Sequence, residues 1–213
     1  MKLSKLGISV KLLRILCSHY EDLTAKVRIG GITSESIVVM KGVRLGGVMS
    51  SFYYLVYIDE LLNTLELSNL GACVMSTNVG NPSFADDLAL VAIVPFKLQK
   101  LVDIVYRYCR TWHIDVIVTK SAKVVYTSKK AIHIQPGIMY GNAFIEQDDH
   151  AIHLGIRQGY NLSLNARIHE RCQKARTSLF DMAGQYRNGI TPAFSADLYR
   201  NIFIPTALYG AEL

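Results

Sequence analysis

Asp86 and Asp87 stand side by side in the otherwise apolar run Phe84-Ala85-Asp86-Asp87-Leu88-Ala89-Leu90-Val91-Ala92. Burying one carboxylate is costly, and two like charges in contact are worse unless cations compensate. Magnesium is such a cation: it takes oxygen ligands and accepts one or two carboxylates together with substrate phosphates. The flanking residues read as strands, which predicts a hairpin with both aspartates at its bend. On these residues alone the pair fits two roles, metal ligands held by core strands or two hydrated side chains on an exposed turn.

Charge is unevenly placed around that pair. No Lys or Arg lies between Leu45 and Phe96, where Asp59, Glu60, Glu66, Asp86 and Asp87 fall. The 23 basic residues flank this centre, eight in Met1 to Arg44, eight in Lys97 to Lys130 and seven after Ile156, for a net charge of +6. An acidic middle between basic flanks suits metal ions at the centre and a nucleic-acid backbone at the margins, although solvated helix faces would give the same charges. Arg167, Arg171, Lys174 and Arg176 are spaced so that at least the first three share one side of a helix. Such a stripe either follows phosphates or solubilises the outer face of a helix that buries Leu164, Ile168, Cys172, Ala175 and Leu179.

The elements that must position these residues can be placed from periodicity. Leu3, Leu6, Leu12, Leu13 and Leu16 predict a first helix ending near His19 to Glu21. Residues 25–29 and 35–40 predict a hairpin that turns at Gly30-Gly31. After a glycine-rich loop, Ser50 and Ser51 can cap a helix carrying Tyr54, Leu55, Ile58, Leu61, Leu62 and Leu65 on one face. Val74 to Thr77 reads as one strand, and Lys97 to Trp112 as a helix with Tyr108 and Trp112 in its core stripe. Short strands are expected at 115–118, 123–127, 131–134, 143–145 and 152–156. Helices are expected over 164–186 and 192–204, with Gly189 as a break and Pro205 as a stop. The fold class expected is α+β, mixed over residues 1–156 and helical over 157–213.

With 213 residues and 50% hydrophobic content the chain can bury a real core. The longest nearly uncharged stretch, Val43 to Ile58, holds four Gly and Ser residues and falls short of the ~20 residues of a membrane helix. Lys2, Lys5, Lys11 and Arg14 interrupt any secretory signal core; an acid-poor mitochondrial transit segment and a plain core-facing helix both suit this start. Four widely spaced cysteines suggest neither a zinc site nor a disulfide framework, so an intracellular protein with reduced thiols is expected.

Several boxes in fixed order carry a family resemblance. Phe84-Ala85-Asp86-Asp87 resembles the Phe/Tyr-x-Asp-Asp box of reverse transcriptases, and Gly42-Val43-Arg44-Leu45-Gly46-Gly47-Val48-Met49-Ser50-Ser51 resembles the Gly-Val-Arg-Gln-Gly-x-x-x-Ser-Pro box that precedes it. Tyr57-Ile58-Asp59-Glu60-Leu61-Leu62 is similar to the intervening helix, Leu154-Gly155-Ile156 to the strand entering the thumb, and Leu208-Tyr209-Gly210-Ala211-Glu212 to a thumb signature of long interspersed elements. The chain thus resembles part of a non-LTR retrotransposon reverse transcriptase, an incomplete right-hand palm followed by a helical thumb-like segment. That resemblance implies two magnesium ions at Asp86 and, with a weaker claim, Asp87, and an RNA template, a DNA primer and deoxynucleoside triphosphates as partners. It implies nucleotide contacts at Arg44, Gly46 and Gly47, with Ser50 capping the next helix. Lys120 falls where the family carries a lysine that protonates the departing pyrophosphate, although an ordinary surface lysine fits that position equally.

The chain departs from the family at Leu45 (Gln in the box), Ser51 (Pro) and Ile117 (Asn). The family's third carboxylate comes from a palm strand ahead of the first helix here, outside these residues. The resemblance therefore implies a fragment that is inactive in isolation. The alternative is a non-catalytic remnant that holds nucleic acid through its basic helices.

Overall fold

The amphipathic opening folds as two helices rather than one, α1 (Lys2–Lys5) and α2 (Val10–Tyr20), in a computed structural model that describes residues 2–40, 42, 47–126, 136–159, 164–184 and 191–211. Gly7, at φ +76°, breaks the run, and Ser9 restarts it by accepting a hydrogen bond from the Leu12 amide at 3.4 Å. The chain packs as two units, Met1–His113 and Ile114–Leu213, and the border between strand-rich and helix-rich sequence lies inside the second.

In the first unit the expected hairpin is present as two ladders. β1 (Thr24–Ala25) pairs with β4 (Ile37–Val38), enclosing β2 (Arg28–Ile29) and β3 (Ile32–Thr33). Both turn residues, Gly30 and Gly31, have positive φ, which glycine adopts without steric cost. The helix α3 (Ser50–Leu67) follows, but neither serine caps it: Met49 holds the cap position in helical conformation, with no side-chain cap bond. The Ser50 amide donates to the Gly47 carbonyl at 3.0 Å, so the loop already winds as a turn and Ser50 enters as the first, buried helical residue.

The expected single strand at 74–77 folds back on itself. β5 (Cys73–Val74) pairs with β6 (Thr77–Asn78) around Met75, whose φ is +54°. β7 (Ser83–Phe84) and β8 (Asp87–Leu88) form the next hairpin. The Ala72 amide donates to Val91 O and the Val91 amide to Gly80 O, each at 2.8 Å, drawing three segments together. A Cβ on Gly71 would lie 2.6 Å from the Gly80 Cα, so this junction requires glycine. Helix α4 (Pro95–Trp112) begins with proline in its first turn and ends on His113 in left-handed conformation. Leu61 and Leu65 of α3 and Leu101 of α4 are each 1% exposed, and with Ile58, Val102, Val105 and Cys109 they form this unit's core.

In the second unit the strand expected at 115–118 is replaced by a 3₁₀ turn at Val118–Lys120, and 123–127 contributes a single parallel bridge, Lys123 to Gln147. Short apolar runs carry no decisive periodicity, and here the Lys120 and Ser121 amides bond back to Ile117 and Val118. Two antiparallel hairpins follow, β9 (Ile138–Tyr140) with β10 (Ala143–Ile145) and β11 (His150–His153) with β12 (Ile156–Gly159). The strand expected at 152–156 is thus divided by a turn at Leu154-Gly155, both with positive φ. The expectations at 131–134 and Gly189 lie outside the described residues.

Helices α5 (Leu164–Gly184), α6 (Pro192–Leu198) and α7 (Ile204–Leu208) complete this unit, Tyr199–Phe203 forming a π-helical stretch between the last two. Pro205 therefore does not stop the helix. Proline deprives the carbonyl four residues back of its partner and crowds it. The Ile204 amide bonds instead to Tyr199 O, five residues back, and this wider winding absorbs the mismatch.

Candidate functional site

The β7–β8 hairpin has Phe84 paired with Asp87, leaving Ala85 and Asp86 as its two turn residues. Ala85 has φ +51°, in the left-handed region that alanine rarely adopts. An alanine held there costs roughly 1 kcal/mol, which glycine would avoid. The expected hairpin is present, but its turn falls one residue early: Asp86 lies at the tip with Ala85, and Asp87, expected at the bend with it, opens β8 opposite Phe84. Both are exposed, as are Phe84 and Ala85, so the carboxylates sit on an open bend and not in a buried pocket.

Tyr54 of α3 ties this bend to the helix behind the glycine-rich loop. Its phenol is pushed above the usual tyrosine range by partial burial first and by the negative charge of Asp86 next, with smaller contributions from Cys109 and Tyr108. Asp86 is therefore within electrostatic range of a residue one turn beyond Ser50. Periodicity placed Tyr54 on a helix face but gave no reason to connect it with Asp86; only the hairpin's fold-back does so. Of the other expected nucleotide contacts, Gly47 leads into α3, and Arg44 and Gly46 lie outside the described residues.

The remaining candidates belong to the second unit. Lys120 is exposed on the 3₁₀ turn. Arg171 on α5 donates to the Gly155 carbonyl of the β11–β12 turn and lies 4.8 Å from the centre of the Tyr209 ring. The Tyr209 hydroxyl donates to Leu154 O at 2.9 Å, so arginine and tyrosine together clamp both carbonyls of one turn. Lys174 pairs with Glu170 at 2.9 Å, and that hydrogen bond holds the Glu170 carboxyl below its ordinary range. Arg176 is exposed beside an open groove lined by Ile168, His169 and Cys172; Ile168 is itself exposed, although periodicity put it on the buried face with Ala175. The Arg167 side chain lies outside the described residues.

A prediction about the basic stripe follows from these contacts. Arg171→Ala is expected to destabilise the Ile114–Leu213 unit by about 1 kcal/mol, the net worth of a typical hydrogen bond. It should leave the salt dependence of RNA–DNA duplex binding unchanged. A logarithmic salt slope reduced by roughly one unit would show instead that Arg171 leaves the turn to meet a phosphate.

Among the described residues no group of three or more His, Cys, Asp or Glu side chains comes together, and the four cysteines are free thiols. Asp148 and Asp149 are an exposed adjacent pair just ahead of β11, and Asp86 and Asp87 offer adjacent hard oxygen donors at the β7–β8 hairpin. That donor set fits magnesium, which completes its shell with water and phosphate oxygens. No helix among the described residues is long and apolar enough to cross a membrane. No protein-family model matches this chain, and no curated protein matches it.

Proposed function

We propose that this chain is the palm-to-thumb portion of an RNA-directed DNA polymerase of the non-LTR retrotransposon type, with Asp86 and Asp87 as its magnesium ligands. The observation that carries this reading is the pair's position at the β7–β8 hairpin, Asp86 in its two-residue turn and Asp87 opposite Phe84, with Asp86 within electrostatic range of the helix that follows the glycine-rich loop. Its partners would be an RNA template, a DNA primer and deoxynucleoside triphosphates. Bound magnesium would supply activation of the primer 3′ oxygen and charge neutralisation on the pyrophosphate. The open bend would let the carboxylates reach ions already bound to substrate phosphates. The loop from Gly42 to Gly47 would let backbone approach the nucleotide, with Arg44 beside phosphate, and Lys120 would hold a proton for the departing pyrophosphate. In this reading a palm strand ahead of α1 would supply a further carboxylate, and Asp86 and Asp87 without it would hold metal but not extend a primer.

Metal binding is testable on the chain as it stands. Titration with paramagnetic Mn²⁺, a stand-in for magnesium, is expected to broaden the backbone amide signals of Ala85 to Leu88 before others. Asp86→Asn should abolish that selectivity. Equal broadening in the variant, or broadening centred elsewhere, would remove the proposed ligands.

A further inference from the structure

Lys2 of α1 carries its ammonium group into a site built by α3 and α4, and its side chain is 14% exposed. Each of its three N–H bonds has an acceptor: the Tyr57 carbonyl at 2.6 Å, the Tyr108 hydroxyl, and Glu60 Oε2 at 3.2 Å. The centre of the Trp112 ring lies 4.3 Å from Nζ, close enough for a cation–π contact. Tyr108 contributes its oxygen and not its ring face, because an ammonium hydrogen-bonded to the hydroxyl sits beyond the ring edge.

Two of the acceptors hold one another. The Tyr108 hydroxyl donates to the Tyr57 carbonyl, the Tyr57 hydroxyl donates to the Trp112 carbonyl, and the Tyr57 and Trp112 rings meet edge to face at 5.7 Å. Tyr57 and Glu60 lie on α3, and Tyr108 and Trp112 on α4, the two helices whose packing makes the core of this unit. Tyr57, Tyr108 and Trp112 are therefore organised without α1, while the exposed Glu60 carboxylate meets Lys2 from the open side.

We propose that this is a primary-ammonium site, filled in cis by Lys2, which takes the lysine side chain of another polypeptide when α1 lifts away. Its selectivity follows from the acceptors. A trimethylated ammonium keeps the charge but has no N–H to give. A planar guanidinium cannot aim donors at three acceptors around a single nitrogen. Nothing in this inference depends on the polymerase reading.

Trp112 is the chain's one tryptophan, so its emission reports on the site directly. Lys2→Ala, which vacates the site, is titrated with n-butylammonium, the lysine side chain without its backbone. A saturable change in Trp112 emission and a rise in melting temperature are expected in the variant, with a much weaker response from the wild-type chain and from tetramethylammonium. No saturable response in a folded variant, or an equal response to tetramethylammonium, overturns the proposal. Glu60→Gln tests it with Lys2 in place: trypsin cleavage after Lys5 is expected to accelerate as α1 loosens, and an unchanged rate counts against the site.

Discussion

A longer chain carrying the upstream palm strand and fingers together with these 213 residues is expected to extend a DNA primer on an RNA template in magnesium, and to lose nearly all of that extension on Asp86→Ala. Altering a group that merely orients a metal ligand typically costs 10–100-fold in affinity or activity, so deleting a ligand is expected to cost more than about 100-fold. Asp86 is a turn residue on an exposed bend, so truncation to alanine removes no core packing and the fold should survive. Circular dichroism then separates lost chemistry from lost structure. Asp87→Ala should cost less, since Asp87 begins β8 and has the weaker claim to the metal. Primer extension retained by Asp86→Ala would sink the assignment. Robust extension by the 213-residue chain alone would sink the fragment reading and leave Asp86 open.

Local chemistry made some of this fold readable in advance. Gly30-Gly31 announced a turn and formed one, because few other pairs adopt two positive φ values cheaply. The stripe from Leu98 to Cys109 announced α4, because apolar residues three and four apart over twelve residues fit only one period. The Asp-Asp hairpin was legible from its flanking strands and not from turn chemistry, which is why its turn at Ala85-Asp86 falls one residue before the expected bend. What stayed hidden was decided by groups distant in sequence or by main-chain bonds. Met75 and Leu154 turn with positive φ although neither is a usual turn residue, so strands read as continuous were divided. Tyr108 and Trp112 were read as core because they complete a helical stripe. Their partner, Lys2, lies more than a hundred residues away, and no periodicity could reveal that contact. The spacing of Arg171 leaves it either to follow phosphates or to solubilise a helix face, and could not reveal that its guanidinium holds the Leu154-Gly155 turn.

The largest stability loss is expected at Leu101. Leu101, Leu61 and Leu65 are each 1% exposed where α3 packs on α4, whereas Ile29, Ile32 and Met40 of the preceding hairpin region are at least 75% exposed. Apolar burial in the first unit is therefore concentrated in one helix pair, with little elsewhere to compensate a void. Leu101→Ala is expected to cost about 3 kcal/mol, combining lost transfer energy with the cavity left behind. That corresponds to a fall of roughly 10 °C or more in the melting temperature of a unit this size. Ile29→Ala should stay within about 0.5 kcal/mol, since it removes a side chain already in water. Trp112 lies in the first unit, so thermal melts followed by tryptophan emission read that unit selectively. A Leu101→Ala transition unmoved in tryptophan emission would mean that the α3–α4 contact is not what holds the first unit together.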